Sequence, residues 1–222
     1  MSALRGTEVV SDPTNVLALE CAGRLAQNAQ QIVRLATCHR CVRAQEFPRR
    51  PGYAPHFRIF CLATAGREQR NQELTVAALV EHIAVHLAAL QRLEHRGYNF
   101  GARRLRVLAT GERGALADRV AAEVHDVPVV RGDLEHAYYD GLRFLIDVTP
   151  PGGEMMHLID GGAFDWVGKL VSNRKLVFIA SGFGSQLAAY LFRTTARVRD
   201  AHRSDAGRCT RQRGVGVAVG LG

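Results

Sequence analysis

Three groups of residues have types and spacings that could do chemistry on their own. Cys38-His39-Arg40-Cys41 has the two-residue gap of a zinc knuckle. A structural zinc site needs four ligands, and no second Cys or His pair follows at a useful distance, so core or strand-face cysteines are the better reading. His82 and His86 stand four apart and share a helix face, as metal ligands often do. The residue after His82 is Ile83, so the general-base glutamate of a zinc-protease helix is missing. A solvated polar face is the expectation there, and no metal site is assigned. Gly182-Phe183-Gly184 follows an apolar run and opens a helical segment, as phosphate-binding turns do. The third glycine of the dinucleotide fingerprint is absent, so this string decides nothing alone.

The elements that must position such residues follow from periodicity. Residues 14–35 read as a helix N-capped by Thr14, with Val16, Leu17, Leu19, Leu25 and Ile32 as its apolar positions. Segments 33–46 and 56–64 read as two strands around a Pro-rich loop at 47–55, an antiparallel hairpin. From Leu74 to His95 the residues Val76, Leu79, Val80, Ile83, Leu87, Leu90 and Leu93 repeat at helical spacing. Short strands are expected at Leu105–Thr110, Val127–Val130, Leu142–Val148, Met155–Ile159 and Leu176–Ala180, and helices at Gly114–Val124 and from Ser181–Phe183 to Phe192. Helices interleaved with clustered hairpin strands imply an α+β fold, an antiparallel or mixed sheet flanked by helices.

Composition bounds the remainder. The 222 residues carry 29 Lys+Arg against 21 Asp+Glu, a net +8. Residues 193–222 hold seven arginines against Asp200 and Asp205, a net +5, so the rest of the chain carries +3. That segment reads as a basic, poorly ordered tail, and 9–192 as one domain. The hydrophobic fraction of 47% excludes wholesale disorder. No run of 18 apolar residues and no signal-peptide layout are seen, so no membrane partner is expected. Five scattered cysteines fit a reducing, cytoplasmic location better than a disulfide scaffold.

A further series of motifs occurs in fixed order: Asp12-Pro13-Thr14; Val42-Arg43-Ala44-Gln45; His56-Phe57-Arg58-Ile59-Phe60; Tyr138-Tyr139-Asp140-Gly141-Leu142-Arg143-Phe144; Asp160-Gly161-Gly162; Ser181-Gly182-Phe183-Gly184. Over residues 9–192 this series resembles the class II aminoacyl-tRNA synthetase core. The similarity is to the histidyl-tRNA synthetase branch, which includes the regulatory subunit of ATP phosphoribosyltransferase.

The resemblance implies roles for individual residues. Arg43 matches the arginine of the hairpin called motif 2 that contacts the ATP α-phosphate; a planar, permanently charged fork suits charge growing there. Gln45 stands where the family has Glu. Arg58 matches the second motif 2 strand, and the loop with Arg49 and Arg50 resembles the one that closes over ATP and reaches the tRNA end. Asp12 and Thr14 match an acid-x-Thr element beside the amino-acid pocket, where a carboxylate holds the substrate ammonium. Tyr138, Tyr139 and Gly141 match the paired-tyrosine segment walling that pocket, and Gly161 and Gly162 the glycine-rich turn that follows.

The departures are as informative. The catalytic arginine expected just before the tyrosines is Leu134, with Arg131 three positions out of register. The motif 3 arginine position is Leu187. The chain has no recognisable motif 1 and no anticodon-binding domain. The resemblance therefore implies a protein that does not aminoacylate tRNA, binds a histidine-like amino acid, and regulates amino-acid (histidine) biosynthesis. ATP with Mg²⁺ is the one cofactor it implies, should the nucleotide half still work. A homo- or hetero-oligomer is expected and tRNA is not an expected partner. The alternatives are an ATP-dependent ligase that forms an aminoacyl adenylate, or a truncated paralogue with a structural role.

Overall fold

A computed structural model describes residues 2–3, 7–8, 10–43, 46, 49, 52–135 and 137–194. The two-residue strands β1 (Ser2–Ala3) and β2 (Thr7–Glu8) pair with each other. Helix α1 (Pro13–Gln27) opens at Asp12, whose carboxylate accepts the Thr14 amide at 3.0 Å and the Thr14 hydroxyl at 2.7 Å. Asp12 is thus the N-cap in place of the expected Thr14, and Pro13 fills the first helical position, where its missing N–H costs nothing. The helix stops at Gln27, eight residues before its expected end, because Asn28 takes extended backbone (φ −146°, ψ 95°) and Val33 already belongs to a strand.

Seven strands form one mixed sheet: β3 (Val33–Val42), β4 (His56–Arg67), β5 (Arg103–Ala109), β6 (Val129–Asp133), β7 (Leu142–Val148), β8 (Met156–Phe164) and β9 (Leu176–Phe183). Their spatial order is β3-β4-β9-β8-β7-β5-β6, with every pair antiparallel except β5 and β6. Helices α2 (Glu73–Glu94), α3 (Gly114–Ala122), α4 (Trp166–Leu170) and α5 (Ser185–Leu191) complete the α+β fold.

Two apolar clusters lie on the two sides of the sheet. On β9, Ile179 and Phe183 join the cluster of α2, α3 and α5, while the alternate residues Phe178 and Ala180 join that of α1 and α4. Burial on both faces explains why β9 reads as a continuous apolar run instead of an alternating one. By length and composition α2 would also suit a membrane span, but half of that stretch is buried in the fold.

Three other expectations are corrected. Strand β8 continues through Asp160-Gly161-Gly162, so these glycines sit inside a central strand and not in a turn. Likewise β9 runs through Phe183, and α5 begins only at Ser185. His82 and His86 do not form a solvated face; they are 2% and 0% exposed against the sheet. The expected tail lies, from residue 195 onward, outside the described residues.

Candidate functional site

A cleft of about 800 Å³ opens where the start of α1, the hairpin β3–β4 and the ends of β8 and β9 meet. Its lining includes Asp12, Thr14, Arg43, Arg58, Tyr138, Tyr139 and Gly161, seven residues from five distant stretches of sequence. Its volume lies within the usual range for small-molecule sites.

Asp12 serves two neighbours. One oxygen caps α1; the other lies 3.5 Å from Arg43 Nη2. Arg43 also donates from Nε to the Ser11 carbonyl at 3.1 Å and lies 5.0 Å from the centre of the Phe57 ring. The carboxylate and the guanidinium that the sequence marked for different ligand groups therefore stand side by side at one end of the cleft. Arg58 is exposed and sits directly opposite Arg40 across the β3–β4 pair, two like charges that oppose pairing unless an anion intervenes.

The tyrosine segment adds an aromatic wall. Tyr138 meets Tyr139, Phe164 and Trp166 edge-on, with ring centres 5.0, 5.4 and 5.8 Å apart. Edge-to-face contacts of this kind fix ring orientation. Tyr139 is buried and donates its hydroxyl to Asp160 Oδ2 at 3.0 Å. Arg143 donates to the same oxygen at 2.9 Å and stacks its guanidinium 5.1 Å from the Tyr139 ring centre. Burial raises the pKa of both tyrosines above the usual phenol value, and a neighbouring carboxylate charge adds to it, chiefly Asp12 at Tyr138 and Asp160 at Tyr139. Neither phenol loses its proton near neutrality.

The glycines divide. Gly161 lines the cleft, and a Cβ there would stand 2.4 Å from the Ser181 Cβ. Gly162 lies behind Tyr139: a Cβ would meet the Leu142 carbonyl at 2.3 Å and the Tyr139 ring at 2.5 Å. Gly141, at φ +71°, shapes the turn between the tyrosines and β7, and neither it nor Gly162 lines the cleft. Gln45 and Arg50 lie outside the described residues; Arg49 is exposed and away from the cleft lining. Asp160, quoted in the sequence only as a neighbour of two glycines, also lines the cleft, and that reading did not single it out. Its signal was the strand period, which puts Asp160 and Gly162 on one face.

The departures also have structural counterparts. Leu134 is buried. Arg131 is committed to Asp118 at 2.9 Å and to the carbonyls of Val107 and Gly114, away from the cleft. Leu187 lines the cleft from α5, so an apolar side chain occupies the motif 3 arginine position. The loop residue Gly52, at φ +87°, packs on Leu187 and Tyr190. Cys38 and Cys41 do not form a paired site: Cys38 is exposed and Cys41 buried, because a spacing of three puts them on opposite faces of β3. Burial pushes the Cys21 thiol up to about 11 and the Cys61 thiol higher still. Among the described residues no group of three or more His, Cys, Asp and Glu side chains is placed to hold a metal ion.

The sheet and its helices have the class II synthetase-like fold. The chain is similar to histidyl-tRNA synthetase of S. aureus (16% identity, TM-score 0.56, covering 78% of this chain and 48% of that one). It is also similar to a threonyl-tRNA synthetase, ThrRS-1, of Aeropyrum pernix (12%, TM-score 0.61, 91% and 50%). A third similar structure is an ATP phosphoribosyltransferase regulatory subunit/histidyl-tRNA synthetase of Bacillus halodurans (14%, TM-score 0.54, 81% and 63%). The chain spans about half of the first two structures' length and less than two thirds of the third's. No family model and no curated protein matches the chain.

Proposed function

We propose that this synthetase-like domain binds a free α-amino acid without transferring it to tRNA, and acts as a regulatory subunit in amino-acid biosynthesis, histidine biosynthesis being the most concrete form. One observation carries this reading. Asp12, Thr14, Tyr138 and Tyr139 meet in a single cleft, while Leu134, Arg131 and Leu187 leave it without the two cations that adenylate chemistry would want. Asp12 receives the ligand ammonium by charge-assisted hydrogen bonding. Arg43, released from Asp12 by that ammonium, turns to the ligand carboxylate. The Bacillus halodurans neighbour, described as an ATP phosphoribosyltransferase regulatory subunit/histidyl-tRNA synthetase, supports the regulatory form through its shared fold.

Calorimetry with the twenty amino acids tests it. The expected result is saturable binding of at least one, lost in Asp12→Asn. Absence of heat with every amino acid, histidine included, removes the reading. A cytoplasmic hetero-oligomer is the matching cellular form, checked by co-purification and light scattering.

A second reading is favoured by Arg43 and Arg58, which both line the cleft, and by Arg40 opposite Arg58. These cations suit a nucleotide with Mg²⁺, and hence an ATP-dependent ligase that makes an aminoacyl adenylate. Amino-acid-dependent pyrophosphate exchange by the folded protein would establish it, and none with any amino acid would eliminate it.

A further inference from the structure

The cleft holds a second carboxylate whose place gives the ligand a second requirement. Asp160 lies on β8 and lines the same cleft as Asp12, which stands at the start of α1.

The partners of Asp160 are arranged asymmetrically. The Tyr139 hydroxyl and the Arg143 guanidinium both converge on Oδ2. Among the described residues, Oδ1 has no hydrogen-bond partner, and the side chain is 39% exposed. Arg143, 20% exposed, is stacked on the Tyr139 ring and is not part of the cleft lining. Its charge steadies Asp160, and the unpaired Oδ1 is the oxygen left for a ligand.

We propose that Asp160 determines specificity at this site: the cleft takes an amino acid whose side chain ends in a cationic nitrogen, with the α-ammonium on Asp12 and the side-chain nitrogen on Asp160 Oδ1. This rests on the amino-acid reading above and adds a substrate class to it. An aliphatic side chain strips water from Oδ1 and returns no hydrogen bond. An acidic side chain brings like charge to Asp160 and finds Arg143 already engaged. A terminal ammonium or guanidinium makes a charge-assisted bond to the open oxygen. A contact of this kind is worth on the order of tenfold to a hundredfold in affinity.

The test is calorimetry of the full chain with lysine, arginine and histidine against norleucine and glutamate, repeated on Asp160→Asn. That variant keeps the shape and an acceptor but loses the charge, and a circular dichroism spectrum and thermal melt check its fold. The expected result is that lysine or arginine binds at least tenfold tighter than norleucine, and that Asp160→Asn removes this preference while norleucine still binds. Equal binding of lysine and norleucine by the unmodified chain overturns the proposal and leaves the amino-acid reading standing. So does a preference that survives in Asp160→Asn. Binding of none of the five overturns the proposal, and silence with all twenty amino acids removes the amino-acid reading as well. The lysine-to-norleucine ratio of the unmodified chain needs no variant, so an unfolded Asp160→Asn leaves the proposal open to refutation.

Discussion

Asp12 combines two tasks that substitution separates. Its cap on α1 needs only a short side-chain oxygen, and Asn supplies one about as well as Asp. Its place beside Arg43 needs the charge. Asp12→Asn is therefore expected to melt within a degree or two of the parent while its affinity for an amino acid falls on the order of tenfold to a hundredfold. Asp12→Ala should lose the same affinity and also about 1 kcal/mol of stability in urea unfolding. Equal amino-acid affinity in the parent and in Asp12→Asn would separate Asp12 from the ligand. Gly162 makes the complementary case. Its Cβ-free backbone admits both the Leu142 carbonyl and the Tyr139 ring. Gly162→Ala is expected to cost about 1–3 kcal/mol by overpacking and to weaken binding through a displaced Tyr139; an unchanged urea midpoint would refute this. That Asp12, Arg43 and Tyr139 share one cleft was legible only through the ordered motif series and the resemblance it carries, since each alone suits an N-cap, a hairpin or a core equally well. Gly161 and Gly162 were misplaced, since a glycine pair marks a turn and a tight interstrand contact equally well. Only the pairing of β8 with β7 and β9 distinguishes the two.

At the scale of elements, α2 shows what periodicity reveals and what it conceals. Its length and apolar repeat were legible. The side on which His82 and His86 fall was not, although both lie on the stripe of Leu79, Ile83 and Leu90 that packs on the sheet. Polar residue type was allowed to outweigh position. The sheet supplies what makes the burial tolerable. His82 Nε2 is 3.0 Å from the Thr64 hydroxyl, and Ser181 Oγ lies 3.0 Å from His82 Nδ1 and 2.8 Å from His86 Nε2. Those partners come from β4 and β9, far away in sequence, so no local pattern announces them. Desolvation lowers His82 to about 4 and His86 to about 3 from an ordinary 6.5. Above pH 6.5 both states are neutral at these rings and stability is full. Between 6.5 and about 4 the unfolded chain takes up protons that the folded chain refuses. Each histidine then removes about 1.4 kcal/mol per pH unit. Asp147 acts lower on the scale. Burial raises it, but Arg106 and Arg104 outweigh that and hold it below its usual value, so its contribution fades only below about 3.8. Urea unfolding from pH 7.5 to 4.5 should thus show stability falling from near pH 6.5. A flat profile down to pH 5 would contradict the buried neutral pair.

For the whole molecule, the question is where the folded unit ends and how much of the +8 belongs to it. The described chain does not stop loosely at α5. Phe192 is fully buried, stacked 5.0 Å from Phe100, and its carbonyl accepts the Asn99 amide. Arg193 bridges to Tyr98, and the Thr194 amide donates to the Gly97 carbonyl. These contacts tie residues 192–194 to the loop after α2, which the sequence left unassigned because a single aromatic has no period. Residues 195–222 carry six of the seven C-terminal arginines and both of the aspartates, a net +4 of the total. Two truncations separate the contributions. Ending the chain after Thr194 should leave the urea midpoint and amino-acid affinity unchanged, while elution from a cation exchanger moves to markedly lower salt. Ending it after Tyr190 removes Leu191 and Phe192 as well. Loss of a buried Phe costs about 3–5 kcal/mol, enough to consume much of a domain's ordinary stability, so this version should unfold at much lower urea or fail to fold. Equal stability of the two truncations would place the end of the domain before Phe192. A loss of amino-acid affinity on removing 195–222 alone would assign part of the ligand site to the basic tail, and the +8 would then bear on binding after all.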